Sequence, residues 1–154
     1  AQRAATQADA IGTLRQRVAA LENAFRQRDA RMRDLPVYNG LLRIEAVGAR
    51  VDGERGACVL ISPWFMNIIV FPLDPSRPMP AAEGAKLELR FPSGDYEAII
   101  GRIDGFAWYL AVSLFSPMFE FADQAVARIT AQAAADGLYA PPEDDAPAPA
   151  HGVS

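Results

Sequence analysis

The chain has 154 residues, 51% of them apolar, and a formal charge of −4, which is enough apolar material to bury a core and too much for a chain that stays unfolded. A pI near 5.0 gives the whole molecule no electrostatic pull toward nucleic acid or an anionic membrane surface. The single cysteine, Cys58, excludes an internal disulfide and any zinc site built on four cysteines or on two cysteines and two histidines.

Residues 2 to 34 read as one long amphipathic helix. Ile11, Leu14, Val18, Leu21 and Phe25 step by three and four, and Met32 extends the stripe two turns further. Seven arginines against four acids make the segment +3. The helix should end where "DLPVYNG" begins, because the residue before Pro36 is pushed out of helical geometry. Asn39-Gly40 then supplies a turn.

Extended runs follow: "LLRIEAVGARV" (41 to 51), "ACVLIS" and "MNIIVFP", with the polar break "DGERG" between the first two. The segment "PLDPSRPMPAAEG" (72 to 84) holds too many prolines for a strand and reads as a loop. "AKLELRF" alternates, with Leu87, Leu89 and Phe91 on one face and Lys86, Glu88 and Arg90 on the other, as a half-exposed antiparallel strand does. "DYEAIIGRI" and "WYLAVSLFS" complete the set through short connections that suit an antiparallel meander. A second helix is expected from Pro117 to about Asp136, with Ser116 as its N-cap, Glu120 and Asp123 near its positive end, and Gly137 as its stop. The Pro-, Ala- and acid-rich stretch after it should be a disordered tail. The expected architecture is α+β: a long N-terminal helix, an antiparallel sheet of about five to six strands and a C-terminal helix. One domain should cover residues 1–136 and the tail residues 137–154.

No apolar stretch approaches the roughly 18 residues that span a bilayer. No charged-then-apolar leader opens the chain, so a soluble cytoplasmic protein is expected. Catalytic groups are scarce. His151 lies in the expected tail, where nothing would hold it for catalysis. Cys58 sits in the apolar run Ala57–Leu60 and reads as a small buried hydrophobe. Glu120 and Asp123 share a helix face in this reading, and Asp95 and Glu97 a strand face, but two carboxylates are a weak basis for a metal site. No glycine pattern fits a phosphate-binding loop. The sequence therefore points to no enzyme, no metal and no cofactor.

A different pattern stands out. "SPWF" at 62 to 65 is echoed by "SPMF" at 116 to 119, each after an apolar run that ends a strand. Were the two strands neighbours, Trp64, Phe65, Met118 and Phe119 would converge at one rim of the sheet. Aromatics of this kind fill cores, and they also form the centres of protein interfaces; the spacing leaves both readings open.

Four ordered blocks carry a resemblance: "DLPVYNGLLRIEAVG" (34 to 48), "ISPWFMNIIVFP" (61 to 72), "RFPSGDYEAIIG" (90 to 101) and "YLAVSLFSPMFEFADQAVA" (109 to 127). Together they are similar to the HybE-type [NiFe]-hydrogenase assembly chaperone family over roughly residues 10 to 136. The family's "TPWFMN" has Ser62 in place of its Thr here, and Val112 stands where many relatives have a cysteine. Some relatives add a rubredoxin with paired cysteines; this chain has one cysteine, so electron transfer is not implied. The resemblance implies a cytoplasmic chaperone that binds the immature hydrogenase large subunit and holds it until cofactor insertion and twin-arginine export. The small subunit with its export signal is a further candidate partner, and a homodimer stays open. On that reading Trp64, Phe65, Met66, Met118 and Phe119 supply exposed apolar contact, while Asn67, Glu120 and Asp123 complete the partner-binding set. Two other readings remain: a peptide-binding or scaffold module without hydrogenase specificity, and a redox or metal-handling accessory working through Cys58 or the carboxylates.

Overall fold

A computed structural model describes residues 2–142, with side chains from residue 7 onward. The elements run α1 (Gln2–Asp29), β1 (Glu45–Asp52), β2 (Arg55–Ile61), β3 (Met66–Pro72), β4 (Lys86–Phe91), β5 (Gly94–Ile103), β6 (Ala107–Phe115) and α2 (Gln124–Leu138). The six strands form one sheet in the order β1-β2-β3-β6-β5-β4, and every neighbouring pair is antiparallel. This is the α+β arrangement expected from the sequence, at six strands.

The helices lie on opposite faces of the sheet, and strand alternation shows how. In β2, Ala57, Val59 and Ile61 pack in the cluster that contains α2, while Cys58 and Leu60 pack in the cluster that contains α1. In β3, Met66, Ile68 and Val70 face α2, and Ile69 and Phe71 face α1. Both faces of these central strands are therefore covered. That is why their sequences are unbroken apolar runs, whereas β4, with one face open, alternates.

α1 buries Leu14, Leu21 and Phe25 of the predicted stripe, with Ala24 beside them, while Ile11 is 46% exposed, and the helix ends at Asp29 and not at residue 34. Residues 30 to 37 continue as turns, with Met32 N–H bonded to the Asp29 carbonyl at 2.9 Å. One buried member of the helix is Arg17. Its guanidinium donates to the carbonyls of Phe106 (2.9 Å) and Pro72 (3.3 Å) and stacks 3.9 Å from the Phe106 ring centroid. It ties α1 to the end of β3 and to the β5–β6 turn.

α2 departs from the expectation at both ends. It begins at Gln124, and its N-cap is Asp123, whose carboxylate accepts the Val126 N–H at 2.9 Å. Ser116 and Pro117 lie in the preceding loop, joined by a cis bond. The helix runs past Gly137 to Leu138, which is buried, and the Tyr139 hydroxyl donates to Asp52 at 3.0 Å. Three of its five buried residues are alanine, and Gly48 of β1 lets it approach closely: a Cβ there would stand 2.5 Å from that of Ala135. Residues 143–154, including His151 and most of the expected tail, lie outside the described residues.

Candidate functional site

Strands β2 and β6 end at Ile61 and Phe115, at the same end of the sheet, because Met66 of β3 pairs with both Ile61 and Phe115. The Ser-Pro-Trp-Phe stretch is the hairpin between β2 and β3. Buried Ser62 organises it: its hydroxyl accepts the N–H groups of Trp64 (3.2 Å) and Phe65 (2.9 Å) and donates to the Phe65 carbonyl (3.0 Å). A serine so placed satisfies a turn that the proline keeps from extending the strand.

The two echoed stretches converge as backbone, but their side chains part. Trp64 and Phe65 turn to the α1 face and are half-buried: Trp64 stacks on Tyr38 with centroids 6.5 Å apart, and Phe65 meets the edge of Phe25 at 5.7 Å. Met66 and Met118 are both 0% exposed and belong to the α2-side core. This corrects the expectation that they offer exposed apolar contact. Strand alternation turns Met66 inward. Met118 fills the space between the β6 exit and α2, and the buried Phe121, whose N–H bonds the Met118 carbonyl, stacks edge-on against Phe115. Phe119 is the member of the second stretch that does face water, at 58% exposure. Glu120 is exposed in the loop before α2, not in its first turn, and Asp123 is engaged as the helix cap. Asn67 is half-buried, its amide oxygen enclosed without a hydrogen-bond partner.

The residue that joins these pieces is Asn39. Its backbone N–H bonds the Pro63 carbonyl at 2.8 Å, and its side-chain Nδ2 donates to the carbonyls of Met118 and Phe121, each at 3.0 Å. Its Oδ1 accepts the Leu41 N–H at 3.0 Å, and the residue is buried. One amide thus holds the 35–41 loop, the β2–β3 hairpin and the β6–α2 loop together. The segment 118–121, which precedes the Asp123 cap, is held as a loop by these bonds. Read locally, Asn39-Gly40 signals a turn and nothing more; the pointer to a larger role was its place inside the first of the four family-like blocks. Around it the same loops expose Leu41 (67%), Leu35, Val37 and Phe119. The end of the sheet is therefore a rigidly tied set of loops carrying apolar side chains into water.

A second anchor lies nearby at the start of β1. Gln124 Oε1 accepts the Arg43 N–H at 2.9 Å, and its Nε2 donates to Glu45. Burial would raise the Glu45 carboxyl, but hydrogen bonds from Arg128 and Gln124 outweigh it and hold the group below the ordinary glutamate value. Burial pushes the Cys58 thiol up to about 12, so it stays protonated in a closed apolar setting and has no nucleophilic character at neutral pH. Among the described residues no group of three His, Cys, Asp or Glu side chains is placed to hold a metal ion, and no helix is long and apolar enough to cross a membrane.

Comparison with known proteins agrees with the blocks read from the sequence. Residues 16–154 match the family described as "[NiFe]-hydrogenase assembly, chaperone, HybE". The chain is 42% identical over 114 residues to the hydrogenase expression/formation protein HupJ of Bradyrhizobium diazoefficiens, covering 74% of this chain and 66% of that protein. It is 38% identical over 130 residues to the hydrogenase expression/formation protein HupT of Azotobacter chroococcum, covering 84% and 86% of the two. Its fold is similar to the solution structure of HybE from Escherichia coli, with a TM-score of 0.63 over 79% of this chain and 76% of that one at 22% identity.

Proposed function

Since the chain belongs to the HybE family of [NiFe]-hydrogenase assembly chaperones, we propose that it is a non-catalytic binding protein that holds the immature hydrogenase large subunit through the loop end of its sheet. The observation that carries this is the exposure of Leu41 and Phe119 on loops that buried Asn39 locks in place. Apolar side chains presented in water on preorganised loops make good interface anchors, because little conformational freedom remains to be lost on binding. Trp64, in the β2–β3 hairpin that Asn39 also ties, is half-buried against Tyr38. Asn67, Glu120 and Asp123 lie at its polar margin in this reading.

Holding a precursor and releasing the finished subunit requires a difference in affinity between the two forms. A surface of exposed aliphatic and aromatic groups suits a client whose own apolar segments are uncovered before its nickel–iron site is complete and covered afterwards. In this reading the protein acts in the cytoplasm, ahead of twin-arginine export, and the small subunit with its export signal joins as a second client.

The test is an affinity capture from hydrogenase-expressing cells, comparing wild type with the Phe119→Ser/Leu41→Ser double variant and identifying the retained proteins by mass spectrometry. Both side chains are exposed, so the variant keeps the fold. Unprocessed large subunit on the wild type and its loss from the variant is the expected result. Retention by both removes the surface from the proposal, and retention by neither overturns it.

A further inference from the structure

The sheet has two edges, and they are finished differently. β4 carries Lys86, Glu88 and Arg90 along its length, and Arg55 bonds the Arg90 carbonyl at 2.8 Å. Charge and caps of this kind keep an edge from recruiting another strand. β1, at the opposite edge, is capped only toward its start. The Glu22 carboxylate accepts the Ala46 N–H at 2.8 Å, and Gln124 accepts the Arg43 N–H at 2.9 Å.

The register shows that the rest of β1 is open. β2 pairs with β3 without a break from Arg55 to Ile61, and beyond it the Ser62 N–H bonds the Phe65 carbonyl at 2.9 Å. Alternation therefore turns the main-chain groups of Leu60, Cys58 and Gly56 toward β3 and those of their odd-numbered neighbours toward β1. Ala46 stands opposite Leu60, in agreement with its N–H pointing outward to Glu22. Val51 stands opposite Gly56, so its N–H and C=O also point out of the sheet, and nothing bonds either of them among the described residues.

The side chains around Val51 suit a second copy of the same edge. Arg50 and Asp52 flank it on the α2 face, and each keeps bonding capacity. Among the described residues Asp52 is bonded through Oδ2 alone, by Arg55 and Tyr139. Arg50 lies over the Tyr139 ring with a 3.6 Å contact to exposed Asp136. Two antiparallel copies paired at Val51 set Arg50 of each directly opposite Asp52 of the other, twice by symmetry, and opposite charges so placed attract. On the other face Val51 borders a hollow of about 710 Å³ between β1 and α1, which Leu14 and Val18 also line. Ile11 lines it too, and is 46% exposed although it belongs to the apolar stripe of the helix. A second β1 laid along the edge brings its own Val51 beside this hollow.

We infer that the protein forms a two-fold dimer through β1, in which the Val51 residues of two copies exchange backbone hydrogen bonds and the two six-stranded sheets join edge to edge. Val51 lies near the β1–β2 turn, at the other end of β2 from the Ser62–Phe65 hairpin. The dimer leaves the loop end of each sheet free, and the inference stands independently of the proposed function.

Sedimentation velocity of the full chain from micromolar to millimolar concentration tests it, on wild type, Val51→Pro and Arg50→Glu. Proline removes the outward N–H and leaves the bonds to β2, which Arg50 and Asp52 make. Arg50→Glu sets like charges opposite each other across the two-fold axis. Circular dichroism melts check that each variant folds, and amide exchange at both ends of the concentration range follows the Val51 N–H of the wild type. The expected result is a monomer–dimer equilibrium that weakens at least tenfold in each variant, with Val51 exchange slowed at high concentration. Should Val51→Pro not fold, Arg50→Glu and the Val51 amide decide. A wild type that stays monomeric throughout, or a dimer in which Val51 exchange stays fast, overturns the inference. A monomer whose Val51 amide is protected only on adding unprocessed hydrogenase large subunit makes the edge a client site, and likewise overturns it.

Discussion

Replacing Asn39 by Ala tests whether one buried amide holds the loop end of the sheet together. The substitution leaves the backbone bond from residue 39 to the Pro63 carbonyl but removes three side-chain bonds: those to the carbonyls of Met118 and Phe121 and the one from the Leu41 N–H. A buried polar group that loses its partner costs about 1–3 kcal/mol. The Leu41 amide is only part-buried, and the loop carbonyls regain water as the loop loosens. A net loss of about 2–4 kcal/mol follows, which for a chain of this size lowers Tm by roughly 4–16 °C. The total stability of a domain is about 5–15 kcal/mol, so the variant folds. Denaturant unfolding gives the magnitude, and amide exchange gives the location: residues 116–121 and 62–65 lose protection while the β2–β3 ladder keeps it. Asn39→Asp keeps the acceptor for Leu41 but sets a carboxylate against two carbonyl oxygens. That raises its folded-state pKa, so the Asp variant is more stable in acid and loses ground as pH rises through that value. An Ala variant within about 0.5 kcal/mol of wild type, with unchanged exchange in 116–121, refutes the reasoning.

Three further outcomes are expected. Arg17→Met should cost about 1–3 kcal/mol and Arg17→Ala more, both read from denaturant midpoints, because either change leaves the carbonyls of Pro72 and Phe106 without a donor and Ala adds a cavity. Gly48→Ala should cost roughly 2–5 kcal/mol in the same assay. It combines a non-glycine residue at φ +68 with a Cβ pressed onto Ala135, and Ala135→Gly should recover part of the loss. Cys58 should resist thiol reagents at pH 8 in the native chain and react fully in denaturant. Its folded pKa is raised, so its contribution to stability is intact below the ordinary thiol value and falls away as pH climbs from about 9 toward 12, which Cys58→Ala should flatten in a pH series of unfolding curves.

What the sequence determined by itself was whatever local pattern encodes. The step of three and four along Leu14, Leu21 and Phe25 placed α1, and the alternation of Leu87, Leu89 and Phe91 placed β4. Short connections made the sheet antiparallel, and four ordered blocks carried the family. What only the tertiary structure decided were outcomes set by partners distant in the chain. Met66 and Met118 read as exposed contacts until the sheet and α2 closed over them. α2 starts at Gln124 and not at Pro117, with Asp123 as its cap, and the loop before it is tied by Asn39, some 80 residues earlier, through the carbonyls of Met118 and Phe121. Arg17 is one of seven arginines that the sequence of this segment does not tell apart, and its burial depends on carbonyls and an aromatic ring from β3 and the β5–β6 turn. Periodicity records which face of an element turns inward. It does not record which distant group will meet a given backbone carbonyl, and here those meetings decide which side chains remain in water to bind a partner.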